Sequence, residues 1–292
     1  MSYYKILGFE REPFSTSPDP NFFYSSQGHE AALTNILIEL RLKRGLSVLL
    51  GDVGTGKTTL SRKLLQELND RDDCIFHMIL DPSFEDTASF MRSFSKNFGL
   101  VLPDQGRALS VTELREELEH FLFQKGVVEN KTVILIVDEA QKLSENSLEI
   151  LRVLLNYETN EFKLLQLVLL GQNELQDKIK VIPNFFDRIS FKGKLEPLDY
   201  QGTKEMILFR MKQAGYRASM DLFLEEALRA IYECTSGYPR QVTMLCHRAL
   251  KALLLKNKYI VDEQMIADLY DDEVKSGWQR TTPLLQRSSS LS

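Results

Sequence analysis

The run Gly51-Asp-Val-Gly-Thr-Gly-Lys-Thr58 constrains this chain more than any other feature, because it dictates a strand, a loop and a helix in that order. It fits G-x-x-x-x-G-K-[ST] at every fixed position. Ser47–Leu50 ahead of it is a short apolar run that reads as a buried strand. Thr59–Leu68 behind it reads as a helix, with Leu60, Leu64, Leu65 and Leu68 on one face. That arrangement aims successive backbone N–H groups and a helix N-terminus at phosphate oxygens. Gly51, Gly54 and Gly56 permit backbone conformations that a Cβ forbids. Gly51, Asp52, Val53, Gly54, Thr55, Gly56, Lys57, Thr58 and Thr59 are therefore the expected phosphate-binding residues. Lys57 would reach the β- and γ-phosphates of a nucleoside triphosphate, and the Thr58 hydroxyl would ligate Mg²⁺.

Further apolar runs extend the pattern into alternating strands and helices. Strands are predicted at Ile75–Leu80, Thr132–Val137, Leu164–Gly171 and, shorter than these, Ile189–Leu195. Helices are predicted at Gly28–Arg44, Thr87–Phe98, Val111–Gln124 and Ser144–Tyr157. The strands are continuous aliphatic runs without period-two alternation, so both sheet faces must be covered. A three-layer α/β fold with a parallel sheet between helices follows. After Glu196-Pro197-Leu198 the pattern is helical only, with helices at Thr203–Ala214, Leu222–Cys234, Gln241–Lys256 and Asp262–Lys275. The expected division is therefore an α/β domain over 1–197, a helical lid over 198–275 and a non-periodic, serine-rich tail or linker over 276–292. Residues 1–26 carry seven aromatic residues, among them Phe9, Phe14 and Phe22, and are too apolar for a solvated tail. They are expected to lie against the body of the protein.

The strand ending at Val137 delivers Asp138 and Glu139. An acid at that point holds Mg²⁺ opposite the Ser/Thr of the glycine loop, and Asp138 suits the role. Glu139 points elsewhere and can orient and deprotonate an attacking water. The pair argues for hydrolysis as well as binding. Three weaker candidates join them. Gln172 follows a strand and would lie near the γ-phosphate, or be a turn-facing glutamine. Arg188, at the sheet edge, would serve a neighbour's nucleotide or a surface salt bridge. Arg240, at a turn opening a helix, would fold over the γ-phosphate.

Composition removes several classes. Hydrophobic content of 43%, charged content of 26% and a net charge of −5 are those of a globular chain and not of a generic polyanion binder. Three scattered cysteines, Cys74, Cys234 and Cys246, make no C-x-x-C pair and argue for a reducing, cytoplasmic setting. No secretory signal pattern is present, and no apolar run is long enough to span a bilayer.

With these residues in view, the chain resembles AAA+ ATPases, and more narrowly the ExeA/GspA-like group. The resemblance rests on the glycine loop and on Tyr4-Lys-Ile-Leu-Gly-Phe-Glu-Arg-Glu-Pro-Phe14, Thr16-Ser-Pro-Asp-Pro20, Phe23-Tyr24 and Gly28-His-Glu-Ala31. It rests also on Asp138-Glu-Ala-Gln141, Leu170-Gly-Gln172, Asp187-Arg-Ile189 and Gly237-Tyr-Pro-Arg240, and it spans most of residues 1–275. It implies that Gln172 is a first sensor, Arg188 an arginine finger acting across subunits and Arg240 a second sensor. It implies an N-terminal segment that helps enclose adenine, a five-stranded parallel sheet with a helical lid, and rings or filaments with ATP between subunits. Longer secretion members of the group carry a membrane span and a periplasmic domain after the ATPase, so this sequence is expected to be a stand-alone ATPase or the cytoplasmic part of such a protein.

The same ATPase type resembles the transposition regulators MuB, TniB and TnsC, which assemble on DNA. Two functions therefore compete: a switch that drives assembly of a secretion or cell-envelope complex with a protein partner, and a DNA-bound regulator that recruits a transposase. The second draws on an acid-free stretch holding Arg240, Arg248, Lys251, Lys256 and Lys258, which would track phosphates or form the solvated face of a packed helix. An RNA-helicase reading of D-E-A-Q fails, because the wholly helical remainder after Leu195 leaves no room for a second sheet domain.

Overall fold

A computed structural model describes residues 2–17, 19–100, 109–217 and 220–276. The expected tail, 276–292, lies outside the described residues apart from Ser276. In chain order the elements are α1 (Tyr3–Ile6), α2 (Gln27–Arg41), β1 (Leu46–Gly51), α3 (Lys57–Asn69), β2 (Cys74–Ile79), α4 (Thr87–Asn97), α5 (Val111–Phe123), β3 (Thr132–Val137) and α6 (Glu145–Leu154). They continue with β4 (Leu165–Gly171), α7 (Glu174–Val181), β5 (Ile189–Leu195), α8 (Tyr200–Gln213), α9 (Glu225–Thr235), α10 (Pro239–Leu255) and α11 (Glu263–Lys275). Contacts divide the chain into two units, one of residues 27–53 and 57–196, the other of residues 1–26, 54–56 and 197–292.

The first of these holds a five-stranded sheet in the order β2-β3-β4-β1-β5, every neighbouring pair parallel. The continuous aliphatic runs make the central strands. Val133 to Val137 on β3 and Leu167 to Leu170 on β4 are without solvent exposure, which is what a strand covered on both faces requires. Each such side chain contributes about 1.5–3 kcal/mol on burial. β5 lies at the sheet edge, and its residues alternate between half-buried and exposed. It is as long as β4, not shorter as predicted. Side-chain caps fix where helices begin: Asp86 accepts from the Ser89 N–H before α4, Ser144 from the Ser147 N–H before α6, and Ser110 forms a reciprocal box with Glu113 at α5. Register sets the functional edge. Val137 lies opposite Leu169, and Leu50 opposite Gly171, so β3, β4 and β1 end side by side. α7 was not predicted; it buries Leu175 and Ile179 on one face.

The other unit is a helical core. Ile207 on α8, Ile231 on α9, Val242, Cys246 and Leu250 on α10, and Ile266 on α11 are all fully buried together. Its membership corrects the expected domain boundary. Residues 1–26 group with the helices after Pro197, not with the sheet. Phe9, Phe14 and Phe22 insert into the helical core at 3%, 0% and 6% exposure. The Arg210 guanidinium donates to the carbonyls of Pro13 at 2.8 Å and Ser15 at 2.7 Å, and the N–H groups of Glu10 and Arg11 donate to the Ala214 carbonyl. Aromatic richness at the N-terminus announced burial but not its partner.

Candidate functional site

The site is built on the aligned strand ends. β1 closes at Gly51, the loop turns through Gly54 and Gly56 at φ +89° and +101°, and α3 begins at Lys57. Both glycines hold left-handed backbone that an L side chain resists. Lys57 is 5% exposed and folds onto its own loop, donating from Nζ to the carbonyls of Gly51 at 2.6 Å and Asp52 at 2.9 Å. Burial pulls its pKa down, opposed by the carboxylates of Glu139, Asp138, Asp52 and Glu174. A buried ammonium bonded to neutral carbonyls has a strong incentive to take an anion as its partner.

One strand over but one, β3 presents Asp138, which is 2% exposed. Its Oδ2 accepts from Thr58 Oγ1 at 2.6 Å, and its Oδ1 accepts from the Glu139 N–H at 2.9 Å. Burial raises the Asp138 pKa against those two hydrogen bonds. The Thr58 hydroxyl and the Asp138 carboxylate are thus two hard oxygen donors converging on one point. That donor set fits Mg²⁺, which takes few protein oxygens and completes its octahedron with phosphate and water.

Glu139 is half-buried and adopts φ 51°, ψ 35°, a left-handed conformation rare outside glycine and asparagine. This turn takes its side chain out of the β3 alternation. Glu139 Oε2 accepts from Gln141 Nε2 at 2.6 Å, and Gln141 Oε1 accepts from the Gln172 N–H at 3.1 Å. Lys178 on α7 donates to the carbonyls of Gln141 and Leu143 at 2.6 and 3.0 Å. Asn173 donates to Asp52 Oδ1 at 3.0 Å.

Lys57, Thr58, Asp138 and Glu139 therefore come together, with Gln172 joined to them through Gln141. Arg188 is held elsewhere: its Nη1 donates to the Arg152 carbonyl at 3.0 Å and to Asn156 Oδ1, both at the C-terminal end of α6. In the helical unit, which includes the loop tip 54–56, the Arg240 N–H donates to the Gly54 carbonyl at 3.3 Å. Sequence reasoning missed Gln141, Asn173, Lys178 and Asn156. Only Gln141 sat inside a recognised motif, and nothing local announced its partners.

The basic run is largely paired within the helical unit. Lys256 meets Asp268 at 3.0 Å, Lys258 meets Asp262 at 2.8 Å, and Arg248 bonds the Leu269 carbonyl and Glu273. Lys251 sits 5.9 Å from the Tyr3 ring centroid. Among the described residues no helix is long and apolar enough to cross a membrane.

Strand order and a nucleotide-type glycine loop followed by a helix define a P-loop fold of the AAA+ type. Residues 40–179 match the family described as AAA domain. The chain is similar to General secretion pathway protein A of Aeromonas hydrophila, 34% identical over 260 residues. That match takes in 88% of this chain and 46% of the relative, so the chain spans less than half the relative's length. Among solved structures, Cdc6p of Pyrobaculum aerophilum is similar with a TM-score of 0.65 at 20% identity, over 85% of this chain and 67% of that one. The ORC1 protein of Aeropyrum pernix, solved in complex with DNA, gives a TM-score of 0.61 at 18% identity, over 90% and 69%. These two likenesses carry the fold alone.

Proposed function

We propose that the chain binds ATP at the Gly51–Thr59 loop and hydrolyses it, working as an oligomeric switch. The observation that carries the reading is Thr58 Oγ1 meeting a buried Asp138 carboxylate at 2.6 Å, with Glu139 next in sequence. Thr58 and Asp138 are the residues that would hold Mg²⁺, whose chemistry when bound is to offset the negative charge that develops on the phosphate. Lys57 would leave the loop carbonyls for the β- and γ-phosphates. Glu139 would orient a water and accept its proton, for which its left-handed turn frees it from the strand direction.

Gln172 would sense the γ-phosphate, Arg240 would respond to it from the helical unit, and Arg188 would reach the nucleotide of a neighbouring subunit. Arg188 is already ordered by Arg152 and Asn156, which lowers the entropy of presenting a guanidinium to a partner. The likeness to General secretion pathway protein A supports a role at the cytoplasmic side of a secretion or envelope assembly, in contact with a protein of that machinery. The DNA-bound alternative draws less support, since Arg248, Lys256 and Lys258 already have acidic partners.

Calorimetry on Lys57→Ala tests the phosphate cradle. Loss of the ammonium should weaken ATP binding by at least about tenfold while melting behaviour is kept, charge-assisted bonds being about 1.5–3 kcal/mol each. Parent-like affinity in the variant would remove the assignment.

A further inference from the structure

We propose that Gln141 is the positioning residue for Glu139 and ties that carboxylate mechanically to the end of β4. The inference rests on the reading of Glu139 as the base. Its starting point is one planar amide used at both ends. The Gln172 N–H can only donate, so the atom facing it at 3.1 Å is Oε1, and the amide orientation is thereby fixed. Nε2 must then face Glu139, where it donates to Oε2 at 2.6 Å. One carboxylate oxygen is held, and the other is the one to take a proton from water.

The surroundings leave the amide little freedom. Lys178 pins the Gln141 main chain by donating to its carbonyl, and Ala140 beside it is fully buried. Gly171 supplies the space: a Cβ there would lie 3.2 Å from Gln141 Oε1 and 2.7 Å from Leu175 Cδ2. Glycine at the last position of β4 thus keeps the amide channel open. Because the same amide touches Glu139 and the Gln172 main chain, a displacement of Gln172 cannot occur without moving or releasing Glu139. The first sensor and the base would be linked by a single side chain, with no relay through the sheet.

The test is steady-state ATP hydrolysis by Gln141→Leu, which keeps the volume and removes the amide. A misplaced catalytic group costs up to about 10²-fold, so kcat should fall roughly 10- to 100-fold while KM for ATP and calorimetric ATP affinity stay within about threefold. Gly171→Ala, which crowds the amide without altering it, should lower kcat in the same direction and serves if Gln141→Leu does not fold. In a Glu139→Gln background, Gln141→Leu should cause no further loss, since the group it positions is gone. A kcat within twofold of the parent, losses that multiply in the double variant, or a loss confined to KM would each overturn the positioning role. If Glu139→Gln alone keeps parent turnover, the base assignment falls and this inference falls with it. If Glu139→Gln is inactive and Gln141→Leu is not, only the inference falls.

Discussion

Replacing Gly237 by alanine should unfold the helical unit at temperatures where the parent is intact. Gly237 sits at φ +71°, immediately before Tyr238-Pro-Arg240, and its carbonyl accepts from the Leu198 N–H at 3.0 Å. A Cβ at this position would lie 1.8 Å from the Leu198 carbonyl oxygen and 2.8 Å from its carbonyl carbon. The left-handed backbone alone costs a non-glycine residue about 1–2 kcal/mol. The overlap is with backbone, so no rotamer relieves it. Leu198 and Gly237 must separate by roughly 1 Å, losing their hydrogen bond at about 1 kcal/mol and disturbing the packing of Leu198. A total of about 4–6 kcal/mol follows, a large part of the ~5–15 kcal/mol that folds a domain. At ~2–4 °C per kcal/mol for a chain of this size, the midpoint should drop by about 10–20 °C. Gly8→Ala is the control. Gly8 belongs to the same unit and lies at φ +85°, but nothing is within 4 Å of its absent Cβ. It should pay the backbone term only, about 2–8 °C. Thermal melts followed by circular dichroism read both. If Gly237→Ala melts within about 5 °C of Gly8→Ala, the close approach of residues 237 and 198 is wrong.

Arg188→Ala should bind ATP like the parent yet hydrolyse it poorly, since fingers acting in trans contribute about 10³–10⁵-fold. Mixing it with Lys57→Ala should restore activity, because one subunit then brings the loop and the other the finger; activity equal to the sum of the two variants in co-assembled samples would refute a trans role. Stability should also fall on acidification below about pH 6.5 through His247. Burial and then Lys251 depress its pKa, against Glu12, while its Nδ1 lies 2.9 Å from the Tyr3 hydroxyl. A depressed value means the folded state prefers neutral imidazole, so this contribution is whole above the unfolded pKa and is lost as pH falls below it. Melting midpoints of His247→Gln from pH 8 to 5 should slope less than the parent's, and equal slopes would dismiss the assignment.

What could be read from the sequence followed from patterns that report burial. Val133–Val137 and Leu167–Leu170 are apolar without alternation, and such runs have few homes other than covered parallel strands. The glycine loop fixed its own flanks in the same way. Pairings between distant segments were another matter. Phe9, Phe14 and Phe22 demanded a core without naming the helical one, and Arg210, which donates to the Pro13 and Ser15 carbonyls, lies nearly two hundred residues on. The acid-free run after Arg240 looked like an exposed cationic face because its partners, Asp268 and Glu273, come from the next helix. Gln172 stood out by its place after a strand and Gln141 by its motif, but only the alignment of β3 with β4 makes them neighbours. α7 is eight residues long, too short for periodicity to stand out against the turn around it.

In the proposed reaction Glu139 takes the proton from the water that attacks ATP. Single-turnover hydrolysis of γ-labelled ATP by Glu139→Gln, with nucleotide affinity measured on the same sample, addresses it most directly. The amide is nearly isosteric with the carboxylate and cannot accept that proton. Affinity should match the parent, and the rate of phosphate release should fall by about 10²–10⁴-fold. A variant that binds equally well and still releases phosphate at the parent rate would remove Glu139 as the base.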